Sequence, residues 1–350
     1  MALISSSTIS HKRDDTFKQW MISRTDGSSL WSDKVYRDAL FIYLGRIYGK
    51  KDHIQSLFAQ LEKENDKLDE LDLLHTLFQR IEKERTVQKS CLQGYNSSRV
   101  DKRLNELKLF FNPKDACKST IYDFKTLPFD LNKIDKNQIK AYFDLGCNTG
   151  VITAALGAYL GLKKENIFGG DVYPVENDHV TFIPMHESEG IINLPDDRVD
   201  LVTCLVTLHH ITHIDSILVE LARIIRPGGY LILREHDCRM ERSLLVKYLN
   251  FIHAIRMYPF NGAFFDCSGN HHDQRHCELD VNKISETHAW HQKKADILDH
   301  TKSIRYHTRD EWKDHLKRAG FGLHGTLEVD TTKCLNPQNV FYALYQKEHN

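Results

Sequence analysis

A regular alternation of short apolar runs and helical stretches begins after Pro128 and continues through the rest of the chain. Such alternation is typical of βαβ units, in which parallel strands form one sheet and the connecting helices cover its faces. The sequence therefore predicts an α/β fold with a seven-stranded, doubly wound sheet. The predicted strands are residues 141–145, 166–170, 179–183, 200–206, 230–234, 322–329 and 340–346.

The preceding residues follow a different pattern. Residues 1–30 are polar and rich in Ser and Thr, which predicts a flexible lead-in. Residues 31–130 carry apolar side chains at helical spacing, which predicts an N-terminal helical domain before a sheet domain at 131–350. Within the sheet domain, residues 259–300 hold many of the 20 histidines and are predicted to form an irregular, His-rich insertion.

Composition restricts the cellular setting. The first ten residues lack the basic flank and apolar region of a secretory signal, and no run approaches the roughly 20 apolar residues that span a bilayer. The eight cysteines are scattered, unlike the framework of a small disulfide-rich domain. We therefore expect a cytoplasmic chain with reduced thiols and no membrane association. A formal charge of −1 neither favours nor excludes a nucleic-acid partner.

The turn after the first predicted strand combines an acid with two glycines in the stretch FDLGCNTG, residues 143–150. Glycines let the backbone approach a ligand before a helix begins, although the spacing from Gly146 to Gly150 is not the dinucleotide fingerprint. A plain strand-to-helix turn would explain the glycines but not Asp144 beside them. A second acid, Asp171, ends the second strand, where a carboxylate can hydrogen-bond ribose hydroxyls. These features predict a nucleotide-like ligand at this end of the sheet.

Five stretches in this order resemble the class I (Rossmann-like) methyltransferases that depend on S-adenosyl-L-methionine (SAM), in particular the methyltransferase-type-11-like group. They are FDLGCNTG, GGDV, LPDDRVDLVTCLVTLHHI, ELARIIRPGGYLILRE and WKDHLKRAGF. The resemblance covers about residues 138–350. It implies that the chain is a SAM-dependent methyltransferase (EC 2.1.1.-).

The resemblance also implies a set of cofactor-binding residues. Those facing the amino-acid part of SAM and opening the following helix are Asp144, Gly146, Cys147 and Gly150. Asn148, within the same turn, stands where many relatives carry glycine. Asp171 and Val172 are implied near the ribose, and Glu187 near the adenine. Leu205 and Val206 are implied in the wall of the site.

Polar residues after the fourth and fifth strands are the candidates for chemistry. Methyl transfer from a sulfonium is an in-line displacement, so the protein must align the reactants and supply a base where one is needed. His209 or His210 could accept a proton as a neutral imidazole, or the pair could only shape the pocket. Glu235, His236 and Asp237 are predicted to contact the substrate.

The His-rich insertion contains residue types that bind zinc. They are Cys267, His271, His272, His276 and Cys277. Because their spacing matches no zinc finger, a polar lid facing the substrate is favoured, and no metal is predicted.

The sequence leaves the methyl acceptor open. Residues 80–118 contain ten Lys or Arg against five Asp or Glu, and a large helical domain exceeds what a small metabolite needs, so RNA is the leading hypothesis. A small-molecule or lipid methyltransferase is the alternative. A third hypothesis is a catalytically inactive SAM-fold subunit, with a protein partner on the N-terminal helices. The intact Asp144, Gly146, Gly150 and Asp171 argue against such degeneration.

Overall fold

The computed structural model describes residues 34–48, 51–64, 70–84, 97–112, 134–174, 177–186, 190–238, 243–257, 287–328 and 337–349. The helices in these ranges are α1 (Lys34–Tyr48), α2 (Lys51–Glu64), α3 (Glu70–Glu84), α4 (Ser97–Lys108), α5 (Val151–Tyr159), α6 (Ile214–Ile224), α7 (Leu244–Met257), α8 (Thr287–Ser303) and α9 (Arg309–Arg318). The strands are β1 (Tyr142–Leu145), β2 (Ile167–Asp171), β3 (Thr181–Pro184), β4 (Val199–Leu205), β5 (Ile225–His236), β6 (Phe321–Glu328) and β7 (Val340–Lys347).

The chain divides into two compact units, each assembled from separate stretches. Unit 1 comprises Met1–Gln93, Arg239–Ile304 and Cys334–Gln338. Unit 2 comprises Gly94–Cys238, Arg305–Lys333 and Asn339–Asn350. This division differs from the predicted boundary at residue 130, because α4 belongs with the sheet and α7 and α8 belong with the N-terminal helices.

Unit 2 is built on the predicted seven-stranded sheet, whose strand order is β3-β2-β1-β4-β5-β7-β6. Strands β1 to β5 pair in parallel, whereas β7 pairs antiparallel with both β5 and β6. All four residues of β1 are buried, as expected for a central parallel strand covered on both faces. The predicted fold class is confirmed.

The two faces of the sheet have separate cores because successive strand residues point to opposite sides. Phe143 and Val202 belong to one core, which includes apolar residues of α6 and α9. Tyr142 and Leu201 belong to the other, which includes apolar residues of α4 and α5. The sheet is therefore covered on both faces. The carboxyl ends of the parallel strands β1 to β5 lie together at one end of the sheet.

Unit 1 contains the predicted amphipathic helices α1, α2 and α3. Members of the predicted apolar stripes are buried, including Leu40, Ile54, Leu57, Leu71 and Leu74. Phe41 of α1 meets Phe58 of α2 edge to face, with ring centroids 5.4 Å apart. These contacts explain the helical periodicity of this part of the sequence.

A long-range contact joins α8 to α3 within unit 1. The Trp290 ring stacks on His75 with centroids 4.1 Å apart, and its Nε1–H donates to Asp72 Oδ1 at 2.9 Å. Lys294 Nζ lies 2.9 Å from Asp72 Oδ2. The prediction of irregular structure up to residue 300 is therefore wrong from Thr287 onward, because a buried apolar stripe supports a helix there. The cysteines and histidines considered for zinc, from Cys267 to Cys277, lie outside the described residues.

No helix in the described ranges is long and apolar enough to cross a lipid bilayer.

Candidate active site at the carboxyl ends of the strands

The glycine loop after β1 is held in left-handed backbone conformations. Gly146, Asn148 and Gly150 have φ angles of 74°, 50° and 70°. The amides of Gly146 and Cys147 donate to Gly170 O at 2.7 and 3.1 Å, which ties the loop to β2. Asparagine tolerates the left-handed region better than most residues, which explains how Asn148 can stand in place of a glycine.

Gly146 has no space for a side chain. A Cβ on this residue would lie 2.3 Å from Thr207 Oγ1 and 2.4 Å from Thr207 Cγ2. Thr207 follows β4, so a side chain at Gly146 would push apart the ends of β1 and β4. Both the backbone angle and this close approach require glycine.

Asp144 lies beneath the loop with only 3% of its surface exposed. Its Oδ2 accepts a hydrogen bond from Thr153 Oγ1 at 2.6 Å, and its Oδ1 accepts one from Thr203 Oγ1 at 2.5 Å. Burial raises the pKa of the Asp144 carboxyl to about 6, although the two threonine hydrogen bonds act in the opposite direction. The carboxylate is thus a buried group under the loop, and its predicted contact with SAM stays a prediction.

Asp171 closes the other side of the loop from the end of β2. Its Oδ2 accepts the Asn148 amide at 2.8 Å and its Oδ1 accepts the Tyr173 amide at 3.2 Å. Burial raises the pKa of this carboxyl against those hydrogen bonds, but the side chain remains partly exposed. Val172 and Tyr173 follow it as exposed apolar residues. A carboxylate with fixed orientation therefore stands beside an open apolar surface.

The end of β4 is conformationally unusual. Val206 has a φ of 62°, an outlier for a β-branched residue, and its amide donates to Arg234 O at 2.7 Å. Backbone strain of this kind concentrates at functional sites. Leu205 and Val206 lie at the strand end where they were predicted, whereas Glu187 lies outside the described residues.

Two of the predicted polar residues form a buried pair. His209 Nδ1 and Glu235 Oε2 are 2.7 Å apart, and both residues have 0% exposure. Burial works to raise the pKa of Glu235, but the charge and hydrogen bond of His209, with a smaller effect of His236, hold it below the ordinary value. Glu235 therefore positions the His209 ring at the junction of β4 and β5.

His210 is the more accessible member of the His-His pair. It is half-buried, and its ring centroid lies 4.1 Å from that of His209. The Tyr306 ring also stacks on His209, with ring centroids 5.5 Å apart, and the Arg305 amide donates to His209 O at 2.8 Å. The His209 ring is thus in contact with the rings of both His210 and Tyr306.

Asp237 and His236, which were predicted to contact the substrate, contact residues of α9. Arg309 Nε lies 2.9 Å from Asp237 Oδ2, which links the end of β5 to the start of α9. His236 is buried, and its carbonyl oxygen accepts a hydrogen bond from Trp312 Nε1 at 3.3 Å. Their predicted contact with the substrate stays a prediction, and the described contacts favour a structural role.

Sequence reasoning missed several residues that shape the site at the carboxyl ends of the strands. They are Thr153, Thr203, Thr207, Arg305 and Tyr306. Thr203 gave a signal, since a polar residue interrupts the apolar run of β4. Tyr306 gave none, because it follows the His-rich region and reaches His209 only through the tertiary fold.

Comparison with known proteins supports the resemblance. A family model described as a methyltransferase domain matches residues 131–324, more than half of the 350-residue chain. Five curated relatives match, each named ubiquinone biosynthesis O-methyltransferase. The one from Burkholderia thailandensis is 26% identical over 151 residues, 39% of this chain and 64% of the relative. The one from Rickettsia typhi is 27% identical over 120 residues, 32% of this chain and 46% of the relative.

The chain therefore spans about half to just under two thirds of the length of these curated relatives. Among solved structures, a SAM-dependent methyltransferase from Mesorhizobium loti is 16% identical, with a TM-score of 0.37. That match covers 61% of this chain and 93% of the other.

Proposed function

The chain belongs to the class I SAM-dependent methyltransferases, and on that premise we propose that it methylates an oxygen atom of a small organic molecule. The observation that carries the proposal is the half-buried His210 beside the buried His209–Glu235 pair at the ends of β4 and β5. A neutral hydroxyl must lose its proton when it attacks, so this acceptor makes use of a proton-accepting group. The names of the curated relatives favour the same class of reaction.

SAM is the cofactor of this family, and the residues present fit it. When bound, SAM supplies a methyl group on a sulfonium, which makes the remaining thioether a good leaving group. Gly146 keeps the loop in a tight left-handed turn against Thr207, at the strand end where SAM would bind. The partly exposed Asp171 carboxylate accepts the amides of Asn148 and Tyr173 and keeps lone-pair capacity for a ribose hydroxyl. The exposed Val172 would provide an apolar surface for the adenine base of SAM.

In this proposal His210 is the catalytic base, and His209 and Glu235 are positioning residues. Glu235 fixes the orientation of the His209 ring through Nδ1, and His209 in turn packs against His210. Because His209 is fully buried, it acts through His210 rather than by touching the acceptor. The proposal thus gives distinct roles to residues that the sequence could only name together.

The described part of residues 80–118 offers little support for an RNA acceptor. Arg103 bonds Glu106 and Tyr342 inside unit 2, and the Lys108 ammonium lies 5.4 Å from the centre of the Tyr159 ring. Cations committed to such contacts are less available to phosphates. RNA therefore enters the experiment as a competing acceptor.

The acceptor is tested by incubating the protein with SAM carrying a labelled methyl group. Phenols, alcohols, the matched amines and total RNA are supplied separately, and products are identified by mass spectrometry. We expect label on a hydroxyl oxygen of a small molecule. Label confined to RNA or to amines would refute the proposed acceptor class.

The role of His210 is tested with His210→Gln and with His213→Gln, a control at an exposed histidine. Loss of a general base costs about 100-fold or more in kcat. We expect that loss in the first variant, with little change in the KM for SAM, and near-normal activity in the control. A fall of the same size in both variants would contradict the assignment.

The role of Asp171 is tested by calorimetry with SAM. Asp171→Asn removes a charged hydrogen-bond acceptor, so we expect affinity to fall about 10- to 100-fold. Asp178→Asn, at an exposed acid seven residues along the chain, is the control. Failure of the wild-type protein to bind SAM would favour the inactive-subunit hypothesis.

A further inference from the structure

The helix pair α7 and α8 in unit 1 carries buried basic and polar side chains that the proposed function does not use. Lys247, Asn250 and His253 are buried on α7, and Lys293 is buried on α8. Buried lysines are rare unless paired, because removing a charge from water is costly. This group of side chains therefore calls for an explanation.

One ring contact joins α7 to α8 on the face that carries Lys293. The rings of His253 on α7 and His300 on α8 meet edge to face with centroids 6.2 Å apart. Lys293 precedes His300 by seven residues, which is two helical turns, so both lie on the same face of α8. Lys247, Asn250 and His253 follow one another at intervals of three on α7. His253 and His300 thus meet at the contact between the helices, and Lys293 lies on the face of α8 that carries His300.

The carboxylates of these two helices have hydrogen-bond or ion-pair partners other than Lys293. The sequence of α7, LLVKYLNFIHAIRM, contains no Asp or Glu. The acids of α8 are Asp296 and Asp299, and both are exposed. Asp296 Oδ1 accepts a hydrogen bond from Gln292 at 3.0 Å, and Asp299 Oδ1 lies 3.6 Å from Lys302 Nζ. Both carboxylates thus have partners on their own helix.

Lys293 is the focus of the group. It is 6% exposed, and its Nζ is buried with no hydrogen-bond partner among the described residues. The adjacent Lys294 differs, since its ammonium is 2.9 Å from the Asp72 carboxylate. Burial lowers the pKa of the Lys293 amine to about 8, against a smaller opposing effect of Asp296. An amine with that pKa is still mostly protonated at neutral pH, so a buried positive charge remains to be balanced.

We propose that α7 and α8 form a binding site for a small oxyanion, the carboxylate or phosphate group of an organic molecule, with Lys293 Nζ as its main ligand. A planar or tetrahedral oxyanion offers several acceptors, which matches an ammonium with three N–H donors. The site is independent of methyl transfer. It gives unit 1 a ligand-binding function of its own.

The test is calorimetric titration of the full chain, without SAM, at constant ionic strength maintained with potassium chloride. Inorganic phosphate and sodium benzoate are the two probes, so that the arms distinguish the source of the oxyanion. We expect saturable binding of at least one probe. Binding of neither would overturn the proposal.

The variants are Lys293→Gln and, as a matched control on the same helix, Lys302→Met. We expect the first to weaken binding about tenfold or more and the second to leave it unchanged. Equal affinity in Lys293→Gln and wild type would also overturn the proposal.

A measurement on the wild-type protein covers the case in which Lys293→Gln fails to fold. Reductive methylation with formaldehyde and a borohydride is followed at each lysine by mass spectrometry. A saturating concentration of the bound probe should slow modification of Lys293 several-fold and leave Lys302 unaffected. Unchanged modification of Lys293 would contradict the site, whatever the outcome of the methyltransferase assays.

Discussion

Burial and hydrogen bonding act in opposite directions on the Asp144 carboxyl beneath the glycine loop. Its pKa in the folded chain is about 6, above the ordinary value of 3.8, with burial as the largest cause. A carboxyl whose folded pKa is raised binds its proton more tightly in the folded state than in the unfolded state. Its ionisation therefore lowers stability as pH rises from about 4 to about 6, and the loss persists above that range.

Asp144→Asn removes this ionisation while keeping the shape of the side chain. We expect the variant to lose the decline in unfolding free energy between about pH 4 and pH 6, a change of up to about 3 kcal/mol. Urea unfolding, monitored by pulsed hydrogen exchange in β1 and β4, would measure this change in unfolding free energy. The same pH dependence in wild type and variant would show that Asp144 is not the group responsible.

Gly146 and Gly161 separate two effects that are usually confounded. Both have φ near 70°, at 74° and 73°, but a Cβ would clash with Thr207 only at Gly146. Gly161→Ala should cost about 1 kcal/mol from backbone strain alone. Gly146→Ala should cost more, by an amount due to the clash, and should also weaken SAM binding. Equal losses in thermal stability, with normal SAM affinity in both variants, would contradict this view of the loop.

At the scale of elements, α4 is fastened to β7 by a buried polar contact in unit 2. Tyr342 Oη donates to Glu106 Oε2 at 2.5 Å, and Arg103 also bonds Glu106. Glu106 and Tyr342 are both buried, so the hydrogen bond from the tyrosine satisfies a carboxylate that water cannot reach. The attachment of this helix to the sheet depends on that contact as well as on apolar packing.

Tyr342→Phe should loosen α4 selectively. Removing one donor to a buried carboxylate costs about 1–3 kcal/mol. We expect faster amide exchange in residues 97–108, measured by mass spectrometry. Tyr345→Phe, at another buried tyrosine of β7, is the matched control and should have a smaller effect. Similar acceleration in both variants would indicate that apolar packing alone holds the helix.

The sequence predicted the elements of unit 2 well because their periodicity is local. The apolar runs of β1 and β4 and the stripe of α6 can be identified from neighbouring residues. The predicted strands also placed Asp171 and the His209–His210 pair correctly at the carboxyl-terminal end of the sheet. The Glu106–Tyr342 contact could not be predicted, since its partners are 236 residues apart and no spacing connects them.

At the scale of the whole molecule, unit 1 is discontinuous in sequence. Asp72 and His75 of α3 meet Trp290 of α8, a contact that spans 218 residues from Asp72. The predicted boundary at residue 130 followed the change of local periodicity and could not register this association. The prediction of fold class held because it depended on the order of elements alone.

Trp290→Leu tests whether α3 and α8 are stabilised together. The substitution removes a stacked ring and a hydrogen bond to Asp72, together worth about 1–3 kcal/mol. We expect amide exchange to accelerate in residues 70–84 as well as in 287–303. His291→Leu, at the exposed neighbour, should change neither range. Acceleration in α8 alone would mean that α3 is stable without it.

The discontinuity of unit 1 has a consequence for synthesis on the ribosome. Its first stretch ends at Gln93, and its second ends at Ile304, about 200 residues later. At a translation rate of roughly 5–20 residues per second, that interval lasts on the order of 10–40 s. For most of this time the apolar faces of α1, α2 and α3 have emerged without α7 and α8. Nascent chains should therefore engage a general chaperone before unit 1 can close, even while the central strands of unit 2 are already emerging.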